Sequence, residues 1–126
     1  MTVGFNHLGQ LGQLGNQMFQ YAITKSVASK LNIPFKIPNH QNVFDDGIGN
    51  RYTILLFDIF KLESLTNFGF VDTQKYVQEG HFHYDEDIFN ISPQEDFSLW
   101  GFFQSEKYFK DIENDIRDDF KFKDEL

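Results

Sequence analysis

The apolar positions in the N-terminal part of the chain change from alternate spacing to helical spacing and back. Thr2–His7 alternates apolar with polar or small residues, which predicts a short strand. After a glycine-punctuated loop, apolar residues recur every three or four positions over Gln17–Leu31, which predicts a helix. Ile33–Ile37 alternates again and predicts a second strand. Because strand, helix and strand in this order form a βαβ unit, we expect the two strands to be parallel.

The rest of the chain contains one further strong strand signal and one further helix signal. Asn39–Arg51 is polar and predicts a loop, whereas Tyr52–Phe60 is nearly all apolar and too short to classify by its period. His81–Tyr84 alternates and predicts a strand or an extended loop. Phe97–Phe103 predicts a strand, and Ser105–Lys121 predicts a closing helix. Together these elements predict an α/β fold: a single Rossmann-like domain over residues 1–126, with a largely parallel sheet flanked by helices.

The closing helix has a predicted start, a predicted buried stripe and predicted charge pairs. Ser105 is a suitable N-cap. The stripe consists of apolar residues at helical spacing: Phe109, Ile112, Ile116 and Phe120. Opposite charges one helical turn apart predict pairs on the solvent side, between Glu106 and Lys110 and between Glu113 and Arg117.

Composition and charge narrow the classes of function. The 126 residues suffice for one ordinary domain, and 16 phenylalanines supply enough apolar area for a core. Lys and Arg number 11 against 19 Asp and Glu, a net charge of −8, which argues against binding to nucleic acid or to anionic lipid. The absence of cysteine excludes disulfides and thiolate chemistry. The sequence shows neither a membrane-spanning apolar run nor a signal peptide, so we expect a cytoplasmic protein.

The first candidate site is the glycine-punctuated loop between the first strand and the first helix. Gly9, Gly12 and Gly15 match neither the dinucleotide-binding G-x-G-x-x-G pattern nor a phosphate-binding P-loop. Their spacing is compatible with a plain tight connection or with backbone N–H groups that bind a ligand. Asn16 and Gln17 follow at the helix start, where their amides can cap the helix or hydrogen-bond a sugar or nucleotide.

The second candidate site is the junction between the strand Phe97–Phe103 and the closing helix. If that strand is parallel to the first strand, this junction and the glycine loop lie at the same carboxyl edge, where open α/β sheets bind ligands. Capping of the closing helix is the alternative role for the polar residues of this junction. The predicted substrate-binding residues at this edge are Gly15, Asn16, Gln17, Gln104 and Ser105.

Two further polar clusters have a structural and a functional interpretation. His81, His83 and Asp85 would share one face of a strand at a spacing that can hold zinc, but such residues are more often an exposed polar face, and we predict no metal site. Asp85–Asp87 is a solvated acidic cluster or a loop cap, with paired carboxylates for glycoside hydrolysis as the alternative.

Two longer segments resemble one known family. Gly12–Ala22 has the sequence G-Q-L-G-N-Q-M-F-Q-Y-A, and Leu99–Phe109 has the sequence L-W-G-F-F-Q-S-E-K-Y-F. In these segments the chain resembles the α-1,2-fucosyltransferases of glycosyltransferase family 11, whose motifs are G-x-L-G-N-Q-M-F-Q-Y-A and G-Y-F-Q-S-E-K-Y-F. Ile116–Phe120 is similar to the end of a helix in that family. The motifs occur in the family's order, and the bacterial and phage-encoded members are the most similar.

The resemblance implies the N-terminal, acceptor-side half of a GT-B glycosyltransferase. Such an enzyme inverts configuration as it transfers L-fucose from GDP-fucose to a galactoside hydroxyl, so the implied partners are a sugar nucleotide and a galactoside glycan. The resemblance implies no metal or other cofactor, because basic side chains and backbone dipoles bind the diphosphate. It places Gly15–Gln17 and Gln104–Ser105 at the cleft between two Rossmann-like domains.

One element of the family pattern is absent. The H-x-R-R-x-D motif, whose arginine is expected to bind the diphosphate, does not occur in this sequence, in which Arg51 and Arg117 are the only arginines. We therefore expect a fucosyltransferase-like domain that is inactive alone, with the nucleotide-binding half absent or supplied by a partner chain. The alternative is a non-catalytic domain that binds carbohydrate or a protein partner.

Overall fold

The computed structural model describes residues 1–8, 14–38, 43–45, 51–60, 62, 68–78, 86–90 and 95–122. The strands are β1 (Val3–Gly4), β2 (Phe35–Lys36), β3 (Val43–Asp45), β4 (Arg51–Thr53), β5 (Tyr76–Gln78) and β6 (Phe97–Trp100). The α-helices are α1 (Leu14–Leu31), α2 (Leu56–Ile59) and α3 (Glu113–Asp119), and two 3-10 helices span Glu86–Asn90 and Glu106–Ile112. The order of these elements is that of an α/β protein.

The main sheet has four strands in the order β2-β1-β6-β5, and every pair in it is parallel. Val3 in β1 lies opposite Phe35 in β2 and opposite Phe97 in β6, so β1 is a central strand. The parallel pairing of the first two strands, which the βαβ pattern predicts, is confirmed. The structure therefore has a small parallel sheet accompanied by helices.

One face of this sheet belongs to the hydrophobic core. Val3 of β1 and Phe5 just after it, and Phe97 and Leu99 of β6, share this face because alternate residues of a strand point the same way, and all are fully buried. The small residues Ala22 and Ser26 of α1 are buried in the same region, which keeps that face of the helix thin. The Ser26 hydroxyl donates to the carbonyl of Tyr108 at 2.5 Å and so links α1 to the C-terminal 3-10 helix.

The connection before β5 crosses the opposite face of the sheet. The side chain of Asn6 donates to the carbonyl of Val71 at 2.8 Å and accepts from the N–H of Val71 at 2.8 Å. The N–H of Asn6 donates to the hydroxyl of Ser98 at 3.0 Å. These bonds satisfy backbone groups that have no partner within a strand, and they fix Val71 above Gly4.

Several predicted boundaries are wrong. Helix α1 begins at Leu14, three residues before the predicted start, and the first two strands are shorter than the alternating patterns suggest. The predicted loop Asn39–Arg51 includes strand β3 and the first residue of β4, which pair antiparallel. The unclassified segment Tyr52–Phe60 contains the end of β4 and the short helix α2. The pattern missed β3 because its residues are too few to show a period.

The predicted strand Phe97–Phe103 and the helix after it are both interrupted. The strand ends at Trp100, because Gly101 has φ of 140° and Phe103 has φ of 52°, values incompatible with extended backbone. The predicted single helix Ser105–Lys121 is a 3-10 helix followed by α3, and Phe109 is non-helical with φ of −125°. Because of this break, the predicted apolar residues before and after it do not lie on one helical face.

The side chains of the C-terminal segments reflect this break. Tyr108 and Ile116 are buried, whereas Phe109 is only half-buried. Lys110 contacts Glu113 at 3.3 Å rather than its predicted partner Glu106. A spacing of three residues aligns side chains in a 3-10 turn, which explains why this pair forms.

Other sequence features lie outside the described residues: Gly9, Gly12, and His81 to Asp85, with their candidate zinc site and strand. No helix in the described ranges combines the length and the apolar character that crossing a membrane requires.

Candidate functional site

The two candidate junctions meet at one edge of the sheet. The side-chain N–H of Gln104, which follows β6, donates a hydrogen bond to Oδ1 of Asn16 in the first turn of α1. These residues are 88 positions apart in sequence. Asn16 is half-buried and Gln104 is exposed, so the amide pair lies at the surface. The structure therefore joins the two segments that the sequence singles out; we call this pair and its neighbours Gly15 and Ser105 the sheet-edge site.

An unusual backbone places Gln104 at this edge. Phe103 has φ of 52°, a left-handed conformation that is rare for a bulky residue. Its buried ring makes edge-to-face contacts with Phe5 at 6.1 Å and with Tyr108 at 5.4 Å. This packing compensates the conformational cost, which is of order 1–3 kcal/mol for such residues. The chain therefore turns sharply at Phe103, and Gln104 comes to lie against Asn16.

Ser105 caps the helix that follows. Its hydroxyl oxygen accepts a hydrogen bond of 3.3 Å from the N–H of Lys107, and its φ of −145° is extended, as expected for an N-cap. The carbonyl of Ser105 accepts a further bond of 3.3 Å from the N–H of Tyr108. The capping role that the sequence predicts for Ser105 is confirmed.

Gly15 and Gln17 differ in their relation to this edge. Gly15 is exposed within α1, and a Cβ added there would meet no atom within 4 Å, so neither crowding nor a special φ requires glycine at this position. Gln17 is only 1% exposed, and its Oε1 accepts a hydrogen bond of 2.7 Å from the N–H of Leu55. Gln17 therefore lies in the core and anchors the segment before α2.

A groove of about 400 Å³ adjoins the sheet-edge site, between the start of α1 and the C-terminal helical segments. Gly15 lines it on the α1 side. Its apolar lining consists of Met18, Phe19, Phe109, Ile116 and Phe120. Its charged lining consists of Glu106, Glu113 and Arg117. Small-molecule sites have volumes of roughly 300–1,000 Å³ and combine apolar walls with a few polar groups, so this groove, which we call the helix groove, has the properties of a ligand site.

The three charged side chains of the helix groove differ in their contacts with other residues. The Glu113 carboxylate contacts Lys110 Nζ at 3.3 Å, whereas the exposed Arg117 guanidinium makes no hydrogen bond or ion pair with any residue that the structure describes. Glu106 is exposed at the start of the 3-10 helix. The groove therefore offers both hydrogen-bond donors and acceptors. The helix groove could not be predicted from the sequence, because no local pattern shows which residues line the space between two helices.

Outside the helix groove, His7, Tyr76 and Trp100 form an aromatic cluster near the carboxyl ends of β1 and β6. The His7 ring contacts Trp100 edge-on at 4.6 Å and Tyr76 at 5.5 Å, and Tyr76 is 42% exposed. His7 Nδ1 is buried without a hydrogen-bond partner among the described residues. Burial lowers the pKa of His7 below its usual value of 6.5, because the charged form loses solvation. The imidazole is therefore neutral at physiological pH.

In the described ranges, no three His, Asp or Glu side chains come together as a metal site would require. Comparison with known proteins gives no match to any family model, curated protein or solved structure.

Proposed function

We propose that the chain is a fucosyltransferase-like, acceptor-side domain that binds a galactoside glycan and does not transfer fucose alone. The observation that supports this proposal is the hydrogen bond between Asn16 and Gln104. Each residue lies in one of the two segments that resemble the α-1,2-fucosyltransferases. Segments that belong to one functional site are expected to meet in space, and the parallel sheet agrees with the Rossmann-like half of a GT-B enzyme that the proposal includes.

The chemistry of this edge suits a neutral acceptor better than a nucleotide donor. Side-chain amides both donate and accept, as sugar hydroxyls do. A diphosphate requires concentrated positive charge where the leaving group develops negative charge, and the chain carries a net charge of −8. Binding of GDP-fucose and its chemistry therefore require groups beyond those of this edge, from a nucleotide-binding half or a partner chain.

Isothermal titration calorimetry with lactose, GDP and GDP-fucose tests this proposal. We expect lactose to bind and GDP to bind at best weakly. Asn16→Ala and Gln104→Ala should each weaken lactose binding about tenfold, the effect of losing one hydrogen bond of about 1.4 kcal/mol. Asn114→Ala is the matched control, because Asn114 is an exposed amide on α3 outside the site. Lactose binding that neither site variant weakens, micromolar binding of GDP, or fucose transfer by the chain alone would contradict the proposal.

A protein-interaction domain is the second candidate, and exposed aromatic residues favour it. Phe70 is 48% exposed and Phe122 is 67% exposed, and aromatic side chains at a surface can serve as anchors in a protein interface. A domain of this class would bind none of the three ligands. In a pull-down with an identified protein partner, the unmodified chain would then retain the partner and the Phe122→Ser variant would not.

A further inference from the structure

The helix groove combines aromatic walls with charged groups of both signs, and this combination indicates a class of ligand. We propose that the helix groove binds one neutral pyranose ring. This proposal extends the proposed function and rests on it for one premise, that a glycan binds at the adjacent sheet-edge site. It is carried by the contacts of the groove itself.

The apolar walls provide surfaces against which the C–H face of a sugar can pack. The rings of Phe19 and Phe109 have centroids 6.1 Å apart and planes tilted by 54°, and both rings are half-buried, so part of each faces the groove. Phe120 is held by contacts with Tyr21 at 5.6 Å and Phe60 at 5.0 Å. This wall is therefore preorganised, which reduces the ordering cost of binding.

The charged groups match the hydroxyls of a sugar. A hydroxyl donates one hydrogen bond and accepts up to two, so it can bind a guanidinium and a carboxylate at once. Arg117 supplies only donors, and Glu106 and Glu113 supply only acceptors. Hydrogen bonds to charged groups are stronger than those between neutral groups, so these side chains can hold a ligand that has no charge of its own.

Other classes of ligand match the groove less well. A purely apolar ligand would cover Arg117 and Glu106 without giving either a hydrogen-bond partner, which is costly. An anion would meet two carboxylates in the groove and the net charge of −8 of the chain. A cation would meet Arg117, and Lys110 already contacts Glu113. A neutral molecule with an apolar face and several hydroxyls satisfies every group.

The position of the groove agrees with this ligand. Gly15 lines the groove and precedes Asn16, while Glu106 lines it and follows Ser105. One sugar ring in the groove would therefore lie beside the sheet-edge site, so that successive units of one glycan can occupy both.

The test is an NMR titration of the full chain, in which backbone amide shifts locate binding. The probes are methyl β-D-galactopyranoside, D-glucuronate as an anionic sugar of similar shape, and cyclohexanol as a mainly apolar ring. We expect the galactoside alone to give saturable shifts at groove residues. Phe19→Leu and Arg117→Gln should each weaken this binding about tenfold or more. Lys121→Gln, at an exposed cation outside the groove lining, should leave it unchanged. The amide spectrum of each free variant shows whether it is folded.

The outcomes separate this inference from the proposed function. Galactoside shifts confined to other surfaces, no shifts at all, or equal binding of glucuronate or cyclohexanol would overturn the groove inference. If Asn16→Ala weakens lactose binding while Phe19→Leu and Arg117→Gln do not, the groove inference fails and the proposed function stands. If the groove variants weaken galactoside binding while Asn16→Ala and Gln104→Ala leave lactose binding intact, the groove inference holds and the sheet-edge proposal fails.

Discussion

The phenol of Tyr21 in α1 donates a hydrogen bond of 2.8 Å to Oδ2 of Asp119, the last residue of α3. The same oxygen lies 2.5 Å from Nζ of Lys25, so one carboxylate connects α3 to two positions on α1. Burial, together with the charge of Asp119 and the hydrogen bond to it, raises the pKa of Tyr21 far above its usual value of 10.0. The short helix α3 is thereby fixed against the long one.

Replacing Tyr21 by Phe removes this hydrogen bond while it keeps the ring. We expect the free energy of unfolding near neutral pH to fall by about 1.5 kcal/mol, as for a bond to a charged group. Urea unfolding followed by circular dichroism measures this loss. Tyr76→Phe is the matched control, because Tyr76 is 42% exposed and should change stability little.

The difference in stability between the Tyr21→Phe variant and the unmodified chain should also depend on pH in the alkaline range. In the folded chain the pKa of Tyr21 is raised, so above about pH 10 the unfolded chain releases this proton and the folded chain does not, which destabilises the folded state. The Tyr21→Phe variant lacks this contribution. Its stability deficit should therefore shrink between about pH 8 and about pH 11. A deficit that stays constant or grows over this range would show that the pKa of Tyr21 is not raised in the folded chain.

Gly4→Ala should destabilise the sheet, because the added methyl group would overlap Cγ2 of Val71. Overpacking of this kind costs about 1–3 kcal/mol. The double variant Gly4→Ala, Val71→Ala should be more stable than the sum of the single effects predicts, and thermal unfolding of all four proteins completes the cycle. Gly15→Ala is the control, since its Cβ meets no atom and alanine favours a helix; it should be neutral or slightly stabilising. Strict additivity would contradict this contact.

Gln17→Met should reduce stability rather than ligand binding. Methionine is similar in size but has no strong acceptor, so the buried side chain would no longer bond the N–H of Leu55. An unsatisfied buried donor costs about 1–3 kcal/mol. Chemical unfolding gives the stability, and calorimetry with lactose gives the affinity of the folded variant. A stable variant that has lost lactose binding would place Gln17 in the site instead.

Phe103→Gly should be more stable than Phe103→Ala. Both variants lose the buried ring, but only glycine adopts the φ of 52° without strain. At ordinary positions alanine is favoured over glycine, so the order is reversed here, with a difference of about 1 kcal/mol. Comparison of the two midpoints of unfolding tests this, provided both variants fold. The usual order, with alanine more stable, would indicate that Phe103 does not hold a left-handed backbone.

The sequence is sufficient for the parallel βαβ unit but not for the boundaries of its elements or for strands β3, β4 and β5. Alternation in Thr2–His7 and Ile33–Ile37 and the helical spacing after Gln17 lead to a parallel βαβ unit, because periodicity reports which face of an element is buried. The kink at Phe109 depends on tertiary packing that no local pattern contains. Tyr108, rather than Phe109, is consequently the buried aromatic residue.

The sheet-edge site was accessible to sequence analysis only in part. The rule that parallel strands end at one edge brings Asn16 and Gln104 together. The rule does not distinguish the two neighbouring amides. Asn16 lies at the surface, whereas Gln17 is buried and bonds to the N–H of Leu55, a contact that the local sequence does not indicate. Ser105 was recognisable as a cap, since capping depends on local sequence. The helix groove depends on the crossing of separate helices and could not be found in this way.

The adjacency of β1 and β6 has a consequence for the order of events during synthesis. The N–H of Thr2 bonds to the side chain of Asp96, a separation of 94 residues, so one edge of the first strand has no partner until β6 has left the ribosome. Such distant contacts close late, and they make folding slow. In the interval β1 presents an open edge and the apolar side chains of Val3 and Phe5, a combination that promotes aggregation. Nascent chains that stall before Phe97 should therefore depend on chaperones more than chains that extend past β6 do.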